Sequence, residues 1–470
     1  MKNFKLLSFY GCLTVYYFFF WRENIGINLF IFNLLLLSLS FIYLPKTYKT
    51  FALLVVGILS SLAVVLVNSD FSIIINLLVM SIVLGYAALP SINSAVSGGL
   101  AFAVRLLLSF RYITEPISQL FENFAPRNVL LSKVLKGLKI SIIPVILFII
   151  FLIIFQNANP VFEEKTIFLK DIITLFFEKF PSFSIQRTLY TFFGFIILNA
   201  IFFKHEIGFA RDFLTNKEVK LYRETASKST NLYLTAFSTM VLLNILLFFV
   251  NMIDIEYLWL NLEGTTAPQM SKLVHSGTYL LIFSILLSII VLIFFFKGEL
   301  NFHKNQKRLA LLSFLWIGQN VLLLISVFIR NYKYIEMYGL TRKRIGVGVF
   351  LIITLIGLIT MTLKIYKKLN LRYILISNSW ALMALGLLLS FINFDAIIAE
   401  NNLKRPDCDL NYVKSLSVRV LPVIKKYHPD FKDEEMVFLK LYKSDQEKYT
   451  WLSWNFADYQ FNQFLNTTKP

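Results

Sequence analysis

TFALLVVGILSSLAVVLV, residues 50–67, and FSIIINLLVMSIVLGYAAL, residues 71–89, decide the fold. A helix rises 1.5 Å per residue and the hydrocarbon core of a bilayer is about 30 Å thick. A chain therefore crosses it in about 20 mainly apolar residues whose backbone groups are bonded internally. These two runs meet that requirement back to back. Outward from them, segments near 6–20, 26–44, 138–156, 188–204, 232–252, 277–297, 310–330, 345–364 and 373–393 also qualify. The sequence predicts an all-α, polytopic transmembrane helix bundle of about eleven spans over residues 1–393, with a small helical C-terminal appendage over 394–470.

The composition agrees. With 57% hydrophobic and only 16% charged residues, a 470-residue soluble fold lacks the polar surface to cover itself. The 48 Phe and 22 Tyr suit lipid contact, packing and the headgroup level rather than a cofactor site. Lys2 and Lys5 precede the first run as in a signal peptide. That run ends in Phe18, Phe19, Phe20 and Trp21 without small residues for cleavage, so it reads as a retained helix. SINSAVSGGLAFAVRLLLSF, residues 91–110, reads as an amphipathic or half-inserted helix. Its Ser97, Gly98 and Gly99 favour close helix contact, and Arg105 argues against full immersion.

The net charge of +18 falls in short clusters between apolar runs, which excludes a nucleic-acid face and sets topology instead. With the N-terminus inside, the inner segments hold 24 of the 46 basic residues, the outer loops 11 and the tail 11. An odd span count puts the tail outside. The expected location is a bacterial cytoplasmic membrane, multi-pass, with a cytoplasmic N-terminus and an extracytoplasmic C-terminus. One outer loop breaks the rule: RNYKYIEMYGLTRKR, residues 330–344, carries Arg330, Lys333, Arg342, Lys343 and Arg344. Either the span count fails there or acidic side chains, lipid phosphates or an anionic ligand hold these cations.

In the tail, Leu410, Val413, Leu416, Val420 and Ile424 recur at helical spacing. YTWLSWNFADYQFNQF, residues 449–464, gathers aromatics for the bilayer surface, for packing on the bundle or for a helical hairpin's own core.

No P-loop, dinucleotide fingerprint, HExxH or paired CxxC occurs. Cys12 and Cys408 make no metal or disulfide pattern, Gly346 and Gly348 read as helix-packing glycines, and His205, His275, His303 and His428 are scattered. No metal and no cofactor is expected. The chemistry-bearing group on the outer side is Asp254 and Glu256, then Ser271 and His275, then the basic loop. Such a set suits an ion-paired structural belt or a site for a phosphorylated substrate. Gln319, Asn320, Ser377, Asn378 and Ser379 are polar interruptions able to bond between helices. No Asp, Glu or Lys occupies a span centre, which speaks against an intramembrane proton relay.

NMIDIEYLW (251–259), SKLVHSGTYLL (271–281), YGLTRKR (338–344), FFWRENIGINL (19–29) and DAIIAENNL (395–403) resemble a family of uncharacterised multi-span bacterial membrane proteins defined only by a domain of unknown function. The likeness covers most of the chain, and YGLTRKR is its most specific element. The resemblance implies the membrane architecture and marks Asp254, His275, Arg330, Tyr338, Gly339, Thr341, Arg342 and Arg344 as positions of interest. It brings no activity, and Lys343 makes this loop unusually basic.

Three functions remain open. The first is binding or moving an anionic lipid or phosphorylated envelope precursor at the outer leaflet, with Arg330, Tyr338, Thr341, Arg342, Arg344, Asp254, Glu256 and His275 as candidate ligand-binding residues. The second is an enzyme on a lipid-linked phosphorylated substrate, with Asp254 or Glu256 as base. The third is a sensor or scaffold whose tail recruits an extracytoplasmic protein partner, the bundle serving as its anchor in the lipid bilayer.

Overall fold

The computed structural model describes residues 2–113, 115–124, 166, 168, 185–203, 211, 214–215, 218–221, 230–260, 279–296, 298–432, 436 and 439–467. The span expected at 138–156 lies outside them. Among the described residues the chain is helical and has no strand, only an isolated bridge between Lys220 and Leu369. The first half contains α1 (Lys2–Phe20), α2 (Ile27–Tyr43), α3 (Tyr48–Val67), α4 (Asp70–Ala88), α5 (Ala95–Arg111), α6 (Glu115–Phe124) and α7 (Ile185–Phe202). The second contains α8 (Thr230–Asp254), α9 (Tyr279–Phe295), α10 (Gln306–Tyr338), α11 (Arg342–Lys367) and α12 (Leu371–Ser390). Among the described residues six helices, α3, α4, α8, α10, α11 and α12, are long and apolar enough to cross a membrane; apolar helices over Phe4–Phe20, Ile27–Ile42 and Leu281–Phe295 are shorter.

Short polar residues start these helices by accepting the first free N–H groups. Thr47 does so for α3, Ser69 for α4 as half of a capping box with Ser72, Thr341 for α11 and Asn370 for α12.

The helices pack around two apolar cores. In the first half Phe9 is fully buried and meets Phe195 and Phe203 edge to face, at centroid distances of 5.1 and 5.4 Å. In the second, Met240, Leu292, Leu323, Leu358 and Met361 form the centre. The far side of α8 explains why lipid is required. Leu242, Leu246, Phe249 and Ile253, spaced four, three and four apart, are all more than half exposed, a stripe that water would reject.

Polar side chains inside the bundle are bonded to each other. Asn33 donates to Ser61 at 2.9 Å and to Asn76 at 3.0 Å, tying α2, α3 and α4. Gln319 of α10 donates to Asn244 of α8 at 2.8 Å, Thr360 to Asn378 at 3.0 Å, and the Ala95 N–H to Ser379 at 3.1 Å. These are the helix-to-helix bonds that polar residues form where no water competes.

α5 begins against the last turns of α4, where Gly98 leaves no room for a side chain beside Ile82. Its far end meets the last turn of α7, with Arg105 donating to the Phe203 carbonyl and Asn199 to the Ser109 carbonyl at 3.1 Å. The start of α5 therefore lies at the end of the bundle where α4 finishes.

At the opposite end sits the appendage: α13 (Phe394–Leu403), α14 (Leu410–Lys414), α15 (Leu421–Tyr427), α16 (Leu439–Gln446) and α17 (Phe456–Thr467). Val413, Leu416, Val420 and Ile424 are buried in its core, but not on one helix. Ser417 starts a 3₁₀ turn over Val418–Val420 and Pro422 opens α15, so the periodic stretch is broken into three pieces. The aromatic end of the tail packs on the bundle: the Ile27 N–H donates to the Trp454 carbonyl at 2.8 Å and Ser453 donates to Glu23 at 2.6 Å. Trp451, Trp454 and Tyr459 keep their rings outward, as a headgroup-level belt does.

Candidate functional site

The basic stretch covers the C-terminal end of α10 and the start of α11. The 33 residues of α10 span about 50 Å, well beyond a hydrocarbon core of about 30 Å, so the last turns reach the appendage. α10 stops at Gly339, whose φ of +78° is left-handed and whose missing Cβ would stand 2.6 Å from the Asn402 side-chain oxygen. Asn402 in α13 then grips the next residue from both sides: it accepts from the Leu340 N–H at 2.6 Å and donates to the Leu340 carbonyl at 2.9 Å. Thr341 caps α11 through the Arg344 N–H at 3.4 Å.

The candidate residues separate into three groups. Arg330 and Asp254 form a buried ion pair at 2.5 Å between α10 and α8, with side chains only 10% and 9% exposed. Arg344 closes the helix end, donating to the Tyr338 carbonyl at 2.9 Å and to the Gly339 carbonyl while lying 4.3 Å over the Tyr334 ring. Tyr338 packs against Tyr334 at 4.7 Å, so it serves the same joint. Arg342 alone among the arginines of the stretch is mostly exposed, and it holds Asp395 by two bonds, Nε to Oδ1 at 2.8 Å and Nη2 to Oδ2 at 2.6 Å. Glu256 is exposed in a π-helical turn over Ile255–Leu260, and His275 lies outside the described residues.

Two further arginines matter that charge counting did not single out. Arg405 donates to the Ile335, Glu336 and Met337 carbonyls, covering the end of α10, and pairs with Asp407 at 2.8 Å. Arg419 fastens the appendage to the α3–α4 corner. It donates to the Asn68 carbonyl at 2.8 Å, to the Asn68 side chain at 3.0 Å and to Asp458 at 2.8 Å. The corner itself turns on Asn68, φ +48°, a residue type that tolerates the left-handed region. Neither signal lay in spacing, because both arginines cap backbone carbonyls far away in sequence. The appendage is thus joined to the bundle by specific polar bonds.

Between these joints lies a cavity of about 800 Å³. Its walls come from the α3–α4 corner, the first turns of α11, the end of α12, the start of α13 and the Ser415–Val420 stretch. Its lining combines apolar side chains, Phe71, Ile73, Ile345, Val349 and Leu389, with polar and charged ones, Asp70, Arg342, Asp395, Ser417 and Arg419. Arg342 and Asp395 face each other across this rim, while Asp254 and Arg330 are not part of it. Among the described residues no group of three or more His, Cys, Asp or Glu is placed to hold a metal ion.

A family model described as Domain of unknown function (DUF4153) matches residues 31–427. The chain belongs to the DUF4153 family. The matched region of this DUF4153 member runs from α2 through α15 and includes the Gly339 joint, both ion pairs and most of the cavity wall. No curated protein and no solved structure matches the chain.

Proposed function

We propose that this membrane protein binds a phosphate-bearing amphiphile, a lipid or a lipid-linked envelope precursor, in the cavity between its helices and its appendage, with Arg342 as the phosphate ligand. The observation that carries this reading is a cavity lined by both apolar and charged side chains at the end of apolar helices. Its volume of about 800 Å³ falls within the range of ligand pockets, roughly 300–1,000 Å³. Arg342 is suited to phosphate because its planar fork donates paired bonds. Arg342 is the half of its ion pair that a ligand can reach, since its side chain is 62% exposed while that of Asp395 is 17% exposed. Arg330 and Arg344 act structurally in this reading, being committed to Asp254 and to carbonyls.

Native mass spectrometry of the full chain purified from membranes tests this. The expected result is a co-purifying phospholipid or phosphorylated lipid precursor that is lost in Arg342→Glu. The same lipid at the same occupancy in that variant would sink the proposal.

The wider proposal sets the chain in a bacterial cytoplasmic membrane with about eleven spans, the N-terminus in the cytoplasm and the cavity at the outer leaflet. Ser444 is exposed on the appendage, so Ser444→Cys in a Cys12→Ser, Cys408→Ser background should react with an impermeant thiol reagent on intact cells. Reaction only after lysis would reverse the orientation.

A further inference from the structure

The cavity lining carries charges of both signs, and this narrows the ligand. Arg342 and Arg419 supply two positive groups, Asp70 and Asp395 two negative ones. Arg419 is committed elsewhere: its Nε bonds Asp458, and its Nη atoms bond the carbonyl and side-chain oxygens of Asn68. Among the described residues lining the cavity, Arg342 is the cation available for exchange. Asp70 is exposed at the first turn of α4 and makes no ion pair among the described residues. Asp395 also accepts from the Ser417 N–H at 3.2 Å, a bond that holds its side chain in place independently of Arg342.

A purely anionic head that took Arg342 would strand two carboxylates, Asp395 and Asp70, beside its own negative charge. Like charges at short range in a partly desolvated site repel, and a carboxylate that loses its partner keeps its desolvation cost. A head with both signs avoids this. Its phosphate replaces Asp395 on Arg342 and its ammonium replaces Arg342 on Asp395, with Asp70 as a second acceptor. The ion pair is opened and both halves are satisfied again.

We infer that the cavity takes a zwitterionic phospholipid head bearing a phosphate and a primary ammonium, with its chains along Phe71, Ile73, Val349 and Leu389. This rests on the phosphate-amphiphile reading above and assigns the selectivity to Asp70 and Asp395. The apolar lining separates a lipid from its soluble head, because only the lipid buries surface there.

The test is binding to the delipidated full chain in detergent, read by native mass spectrometry. The probes are phosphatidylethanolamine, its N-acetylated derivative, phosphatidylglycerol and soluble glycerophosphoethanolamine. Phosphatidylethanolamine is expected to bind on the order of tenfold more tightly than either anionic lipid, the equivalent of one carboxylate–ammonium contact. Asp70→Asn should shrink that ratio toward one while leaving phosphatidylglycerol binding intact or improved, a readout that misfolding would not give. Equal or tighter binding of phosphatidylglycerol by the unsubstituted chain, still dependent on Arg342, would overturn the ammonium inference and leave the phosphate reading standing. Binding of the soluble head as tight as the lipid would overturn the lipid assignment. Absence of binding by every probe would remove both.

Discussion

Two ion pairs branch from one short stretch of chain, and they differ in where water stands. Arg330 and Asp254 meet between α10 and α8 with both side chains about nine-tenths buried. Arg342 and Asp395 meet at the cavity rim, where the arginine is mostly exposed and the aspartate is not. Both have short contacts, and Arg342 even has the better two-point geometry, yet the physics runs opposite ways. Desolvated charges are costly to bring inside and more costly to separate once there. Charges in water attract weakly and change partners freely. The buried pair therefore joins two helices where separation is costly, and Arg342 is the half of the other pair that water reaches.

The largest effect expected from this contrast comes from breaking the buried pair on one side. Arg330→Met leaves Asp254 unpaired inside the bundle, and the expected loss is about 3–5 kcal/mol, the cost of an uncompensated buried charge. Combined Arg330→Met and Asp254→Leu should recover most of it, because an apolar pair carries no desolvation debt. Thermal unfolding of the purified chain in detergent reads both. Equal melting of Arg330→Met and the unsubstituted chain would show that the pair does not hold α8 to α10.

The all-helical, membrane-spanning character was legible because it rests on long apolar runs, whereas six helices among the described residues, against about eleven expected spans, are long and apolar enough to cross. The α8 stripe of Leu242, Leu246, Phe249 and Ile253 is visible in composition and again in exposure. The polar bonds of Gln319, Asn378 and Ser379 were likewise anticipated from their isolation among apolar neighbours. The basic loop was found as an anomaly of topology, but its resolution was not legible, since nothing in RNYKYIEMYGLTRKR says that Asp395 and Asn402 will fold back onto it. Pairing across more than fifty residues depends on where the appendage docks. That docking turns on Arg405 and Arg419 reaching backbone carbonyls, a contact available to any arginine and so without a spacing signature. The cavity follows from the same docking and was invisible for the same reason. In the tail, the burial of Val413, Leu416, Val420 and Ile424 followed the pattern, while Ser417 and Pro422 cut the helix that the pattern alone would draw.

The smallest effect on stability is expected at the exposed pair, and its smallness sharpens the comparison. Arg342→Gln removes two hydrogen bonds to Asp395, but the arginine is already largely in water and Asp395 retains the Ser417 N–H. The expected loss is under about 1 kcal/mol, seen as a melting curve close to that of the unsubstituted chain, with lipid occupancy reduced in the same sample. A melting shift as large as that of Arg330→Met would mean that Arg342 and Asp395 clamp the appendage to α11. In that case the cavity rim would be a structural joint like the one at Gly339, and lipid lost from the variant would report a displaced wall instead of a missing ligand.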